Sequence, residues 1–126
     1  MRDFLFLKDN GKSIRIFYHD LQYMEAFGKY VRFVTTEKSY LVSGRLQNAL
    51  QRLPEDQFCR IHKSFIVSFR HISEFTSDKV AVGSIEIPIG KQYRNTFFQQ
   101  AEVLDPSSNN GKSVANKMGK LLKIVK

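Results

Sequence analysis

Apolar and polar positions alternate in short bursts along most of the chain, the two-residue period of half-buried strands. Phe4 to Lys8 and Ser13 to Tyr18 flank Asp9-Asn10-Gly11. Asn-Gly supplies the positive-φ backbone of a tight hairpin turn, so these two runs are predicted to pair. Leu21 to Phe27 alternates as a strand, Gly28-Lys29 turns, and Tyr30 to Thr36 is rich in the β-branched and aromatic residues that favour sheets. Glu37-Lys38 turns again and Ser39 to Val42 returns. The period then lengthens. Leu46, Leu50 and Leu53 stand at i, i+4 and i+7 with Ala49 beside them, which predicts a short amphipathic helix with Ser43 as its N-cap and Pro54 as its stop. Two apolar runs follow, Phe58 to Ile61 and Phe65 to Phe69, interrupted by the polar triplet His62-Lys63-Ser64. Ile72 to Phe75, Lys79 to Val82 and Ile85 to Ile89 are three further strands, joined through Thr76-Ser77-Asp78 and Gly83-Ser84. Pro88 suits a strand end or an edge. Gly90 to Leu104 is predicted helical, with Tyr93, Phe97, Ala101 and Leu104 on one face.

Eight or nine short strands with one or two helices, joined closely and without βαβ units, define a mainly β fold. Several small antiparallel sheets are packed together with the helices. Residues 1–104 make one domain. Asp105 to Gly111 is a linker by composition, and residues 105–126 as a whole form a polar linker and basic C-terminal tail. Val114, Met118, Leu121, Leu122 and Val125 give that tail a roughly helical spacing.

Charge sharpens the picture. The chain carries a net charge of +8, but residues 105–126 hold five Lys against one Asp, so half of the excess belongs to the tail. A basic balance favours polyanionic partners, nucleic acid before a membrane surface. The single cysteine, Cys59, excludes an intrachain disulfide and sits in an apolar run as a small core residue. No apolar run approaches the roughly 20 residues of a membrane span, and the N-terminus carries no secretory pattern. A cytoplasmic setting without membrane contact is expected.

Enzyme chemistry finds no support. The three His and one Cys lack metal-ligand spacing. His62 and Ser64 have no oxyanion element or nucleophile elbow around them. Isolated glycines give no phosphate cradle, and no cofactor is implied. What remains is a set of basic residues at turns and element ends: Lys29, Arg32, Lys63, Lys91 and Arg94. Each alone reads as an ordinary surface cation. Together, on short loops between rigid strands, they suit insertion into a DNA groove, where Arg and Lys pair with guanine O6 and N7 or with phosphates. No recognition helix is evident, since the Leu46 helix needs its apolar face for the core.

The motif Phe58-x-Arg60-x-His62-Lys63-Ser64-x-x-Val67 resembles that of the LytTR DNA-binding domain. Asp20-Leu21-x-Tyr23-x-Glu25-Ala26, the Ser43-to-Leu53 helix and Ile87-Pro88-Ile89-Gly90-Lys91-x-Tyr93-Arg94 are similar to three further motifs of that family, in the same order. The resemblance runs from about Phe4 to Leu104. It departs at Ser68, where the family often has Asn, and at Gly90-Lys91, where Ser-Arg is frequent. The resemblance implies sequence-specific double-stranded DNA binding in bacterial transcription regulation, as the output domain of a two-component response regulator. Loops rather than a helix would enter the major groove. It further implies DNA contacts at Lys63 and Arg94, at Lys29 and Tyr30 in the first DNA-facing turn, and at His62 and Ser64 as loop braces or phosphate contacts. With Arg32 and Lys91 these residues form the expected site. A receiver domain in a longer parent chain and a dimer on repeated half-sites are further expectations of the resemblance. The alternative reading is a non-catalytic protein-interaction or sensory module on the same fold.

Overall fold

The computed structural model describes residues 2–107. Strands β1 (Phe4–Asp9) and β2 (Lys12–Phe17) form a two-stranded ribbon. Its turn residues Asn10 and Gly11 both have positive φ, 51° and 79°, as the Asn-Gly pair predicts. Strands β3 (Leu21–Phe27), β4 (Tyr30–Thr35), β5 (Ser39–Ser43), β6 (Phe58–His62) and β7 (Phe65–Ser68) build a five-stranded sheet in the order β5-β4-β3-β7-β6. Strands β8 (Ile72–Phe75), β9 (Lys79–Val82) and β10 (Ile85–Pro88) form a third sheet. Every pairing among the described residues is antiparallel. The fold is mainly β, three antiparallel sheets with short helices, and among the described residues ten strands stand where eight or nine were expected.

The five-stranded sheet is the middle layer. On one face the β1–β2 ribbon and helix α1 (Leu46–Gln51) bury Leu7, Ile16, Met24, Phe33, Leu46, Phe58 and Ile66. On the other face the three-stranded sheet and helix α2 (Arg94–Ala101) bury Cys59, Ile61, Val67, Val80, Ile87 and Phe97. Successive residues of a strand point to opposite faces. Ile66 and Val67, both fully buried, therefore belong to different cores. The same holds for Phe58 and Cys59. Burial on both faces is why these strands read as unbroken apolar runs instead of alternating ones.

Two helix expectations are corrected. Arg45, not Ser43, is the N-cap of α1, and it makes no side-chain cap bond. Ser43 is held in β5, opposite Tyr30, so strand pairing keeps it out of the helix. The helix predicted over Gly90 to Leu104 spans only Arg94–Ala101, preceded by a 3-10 turn at Lys91–Tyr93. Gly90 is extended because its N–H donates to the Ile61 carbonyl at 2.7 Å. The helix ends where Glu102 turns left-handed at φ 55°, which leaves Leu104 80% exposed instead of on the buried face. Strand boundaries shift by a residue or so. Tyr18 leaves β2 for a 3-10 turn yet stays buried, and Ile89 lies beyond β10. The linker and tail expected over 105–126 lie, beyond Ser107, outside the described residues.

Phe97 is fully buried, stacked on Phe69 at 5.7 Å and edge-on to Phe75 at 4.8 Å. Phe97→Ala should cost about 3–5 kcal/mol in urea unfolding. Phe98→Ala, on the exposed side of α2, should cost clearly less. Burial also pushes the Cys59 thiol up to about 11 from 9.0. Between those values the unfolded chain releases a proton that the folded chain keeps, so this group's contribution to stability falls as pH rises through that window. The drop in urea midpoint from pH 8 to pH 10.5 should therefore be smaller in Cys59→Ala than in the wild type.

Candidate nucleic-acid interface

One end of the middle sheet gathers the loops. Backbone hydrogen bonds tie them in a row. The Gly44 N–H donates to Lys29 O at 3.1 Å, and Ala26 N–H to Ser64 O at 2.9 Å. Gly90 N–H donates to Ile61 O at 2.7 Å, and Ile89 N–H to Asp78 O at 2.8 Å. The β5–α1 connection, the β3–β4 turn, the β6–β7 turn, the segment after β10 and the β8–β9 turn thus share one rim. Lys29, Arg45, Lys63 and Lys91 are exposed along it. At the far end of β6, Glu55, Asp56 and Glu102 line one depression beside Phe69, with Arg52 and Arg70 in the flanking segments. The four steps from Phe58 to His62 separate the two ends by roughly 13 Å at about 3.3 Å per residue.

The β6–β7 turn is the most constrained part of the rim. Lys63 and Ser64 connect the paired residues His62 and Phe65. Neither turn residue has positive φ, so the loop lacks the mirror-image geometry that two-residue hairpins favour. Side chains satisfy it instead. His62 Nδ1 accepts the Ser64 N–H at 3.0 Å. Arg60 donates Nε to His62 O at 3.1 Å and Nη2 to Lys63 O at 2.6 Å. The Lys63 ammonium is left projecting from a fixed backbone. His62, Lys63, Lys91, Gly90, Gln92 and Tyr93 line one open cleft. Gly90 packs closely there: a Cβ would stand 3.1 Å from the Tyr93 ring, which would have to give by a few tenths of an ångström, and at an ordinary 3.6 Å from His62 Cα.

The expected site residues are not all equivalent. His62, Lys63 and Lys91 come together, and Ser64 completes their turn. Lys29 and Tyr30 lie on the neighbouring β3–β4 turn. Arg94 opens α2 and is tied to the β8–β9 turn, with Nε on Ser77 O at 2.8 Å and Nη2 3.6 Å from Asp78, and its side chain stays 34% exposed. Arg32 stands apart on β4, on the sheet face that also carries Tyr23 and Glu25. It lies 4.5 Å over the Phe27 ring and 3.6 Å from Glu25, which offsets its charge. On the same face burial, then Glu25, pushes the Tyr23 phenol above 10.0, and Arg32 partly opposes this. Arg45, Gln47 and Tyr93 were absent from the expected site. Arg60 stood in the quoted motif, but its spacing gave no hint that it folds back onto the turn.

Among the described residues no group of three or more His, Cys, Asp or Glu is placed to hold a metal ion. No described helix is long and apolar enough to cross a membrane. The sequence model of the LytTr DNA-binding domain family matches residues 11–102. A solved structure described as the LytTr DNA-binding domain of a methyl-accepting/DNA response regulator from Bacillus cereus superimposes with a TM-score of 0.70. It is 24% identical, and the match covers 82% of this chain and 100% of that domain. No curated protein matches significantly. The loop geometry yields a local prediction of its own. His62→Ala removes the acceptor of the Ser64 N–H. By hydrogen exchange the Ser64 amide should lose protection while the amides of Ile66 and Val67 keep theirs, at a cost of about 1 kcal/mol in overall stability.

Proposed function

The chain belongs to the LytTR DNA-binding domain family, and on that premise we propose that it binds double-stranded DNA sequence-specifically through the loops of its basic rim. The family's domains bind DNA in transcription regulation and are not catalytic. The observation that carries the finer reading is the row of hydrogen-bonded turns, which presents Lys29, Lys63, Lys91 and Arg94 at one end of a rigid sheet. Lys63 is assigned to base edges in the major groove, because its backbone is fixed and its side chain free. Lys91, beside it in the cleft, is assigned to phosphate. Arg94 approaches the same groove from α2, oriented by Ser77 and Asp78. Lys29 and Tyr30 contact the adjacent stretch of duplex, and His62 and Ser64 brace the Lys63 turn. Arg32, set over Phe27 and beside Glu25, is given no direct base contact in this reading.

The biological setting follows the same reading. The domain acts in bacterial transcription control, in the cytoplasm, as the output half of a response regulator whose receiver domain belongs to a longer parent chain. Two copies would occupy repeated half-sites. Residues 105–126, with five Lys, add sequence-independent affinity.

Selection from a random duplex pool should enrich a short motif. On that preferred duplex log affinity should fall linearly with log salt, as counterion release requires. Lys63→Ala and Arg94→Ala should weaken preferred-site binding more than Lys38→Ala, which lies beyond the opposite end of β4. A base contact is worth roughly 1–3 kcal/mol of discrimination, and a phosphate contact weakens all duplexes alike. Measuring each variant on preferred and scrambled duplexes separates the two. Equal binding by wild type, Lys63→Ala and Arg94→Ala would contradict the assignment. Deleting residues 105–126 should weaken all duplexes by a similar factor, and a loss confined to the preferred site would make the tail part of recognition.

A further inference from the structure

We propose that Arg60 is the positioning residue of the DNA-reading turn, acting on specificity through Lys63 without touching the nucleic acid itself. The inference rests on the proposed reading of Lys63. Arg60 lies on β6 opposite Ile66, on the face shared with α1. Its Nε and Nη2, whose N–H bonds share one edge of the planar guanidinium, donate to two successive carbonyls, His62 O at 3.1 Å and Lys63 O at 2.6 Å. Nη1, on the other side, donates to Gln47 Oε1 of α1 at 3.1 Å. The guanidinium also faces the Tyr93 ring at 5.9 Å, and Tyr93 lines the cleft with Lys63 and Lys91. One side chain thus joins the turn to α1 and to the segment that follows β10.

The turn requires such a brace. Lys63 and Ser64 both have negative φ, and a register shift lies between Arg60 and His62. The two carbonyls converge on the same space, where they would repel each other without a shared donor. A planar fork with fixed spacing holds both at once. A lysine at position 60 retains the charge and loses the fork, because a single ammonium cannot reproduce two parallel donors and a third on the opposite side.

That difference supplies the test. Arg60→Lys, Lys63→Ala, their double mutant and Gln47→Ala are compared with wild type in the full chain, on the preferred and the scrambled duplex, with thermal melting recorded for each. Arg60→Lys should lose roughly tenfold on the preferred duplex, within the coupling range of residues that share a network, and change little on the scrambled one. Added to Lys63→Ala it should cause almost no further loss, because the residue it positions is gone. Gln47→Ala, on the exposed side of α1, should show the same selective loss at roughly two- to threefold. A loss by Arg60→Lys that adds fully to that of Lys63→Ala, or one equal on both duplexes, overturns the positioning role while leaving DNA binding intact. If Arg60→Lys fails to fold, Gln47→Ala decides alone, and an unchanged preference in it overturns the proposal. Wild type that binds no duplex at low salt overturns both the proposal and the reading beneath it.

Discussion

Burial of the β6–β7 hairpin on both faces is the constraint from which the rest of the architecture follows. Ile66 and Val67 have no exposed surface, and they point in opposite directions. A strand in that position needs a layer on each side. The β1–β2 ribbon with α1 provides one, and the three-stranded sheet with α2 provides the other. Neither layer is large enough to be a domain alone. Each is stable because it covers one face of the same two strands. Lengthening or slipping β7 by one residue would exchange its two faces and disturb both cores at once.

The same constraint shapes the tip. Strands fixed from both sides deliver His62-Lys63-Ser64 to solvent with little freedom left in the backbone. The peptide groups of the turn are then satisfied by His62, Arg60 and the neighbouring Ala26. Pre-organised donors lose less conformational entropy on binding than mobile ones. In the proposed reading, a short basic loop on such a base takes the part that a recognition helix takes in other DNA-binding folds. The α1 helix is left to the core and to a supporting contact through Gln47.

Much of this was legible in the residues themselves. Asn10-Gly11 announced its hairpin, and the switch from two-residue to longer spacing at Leu46 announced α1. The unbroken apolar runs at Phe58 and Phe65 gave away strands that later proved buried on both faces. Helix ends were less legible, because they are set by partners distant in sequence. Gly90 is extended for the sake of Ile61, and Ser43 stays in β5 for the sake of Tyr30. The grouping of His62 with Lys91 and Tyr93 depends on that Gly90 contact, across some thirty residues of chain. The surroundings of Arg32 were equally illegible, since only the cross-strand register places Glu25 beside it, and Phe27 lies beneath it.

The central claim is that one end of the sheet, and not the opposite end or the open sheet face, meets DNA. Amide chemical-shift mapping of the labelled protein during titration with the selected duplex tests it most directly. The account predicts the largest perturbations at Lys29, Lys63, Ser64, Gly90 and Lys91, with Lys38, Glu55 and Phe69 little changed. Perturbations centred on Glu55 and Phe69, or on Phe27 and Leu41 of the sheet face, would contradict it.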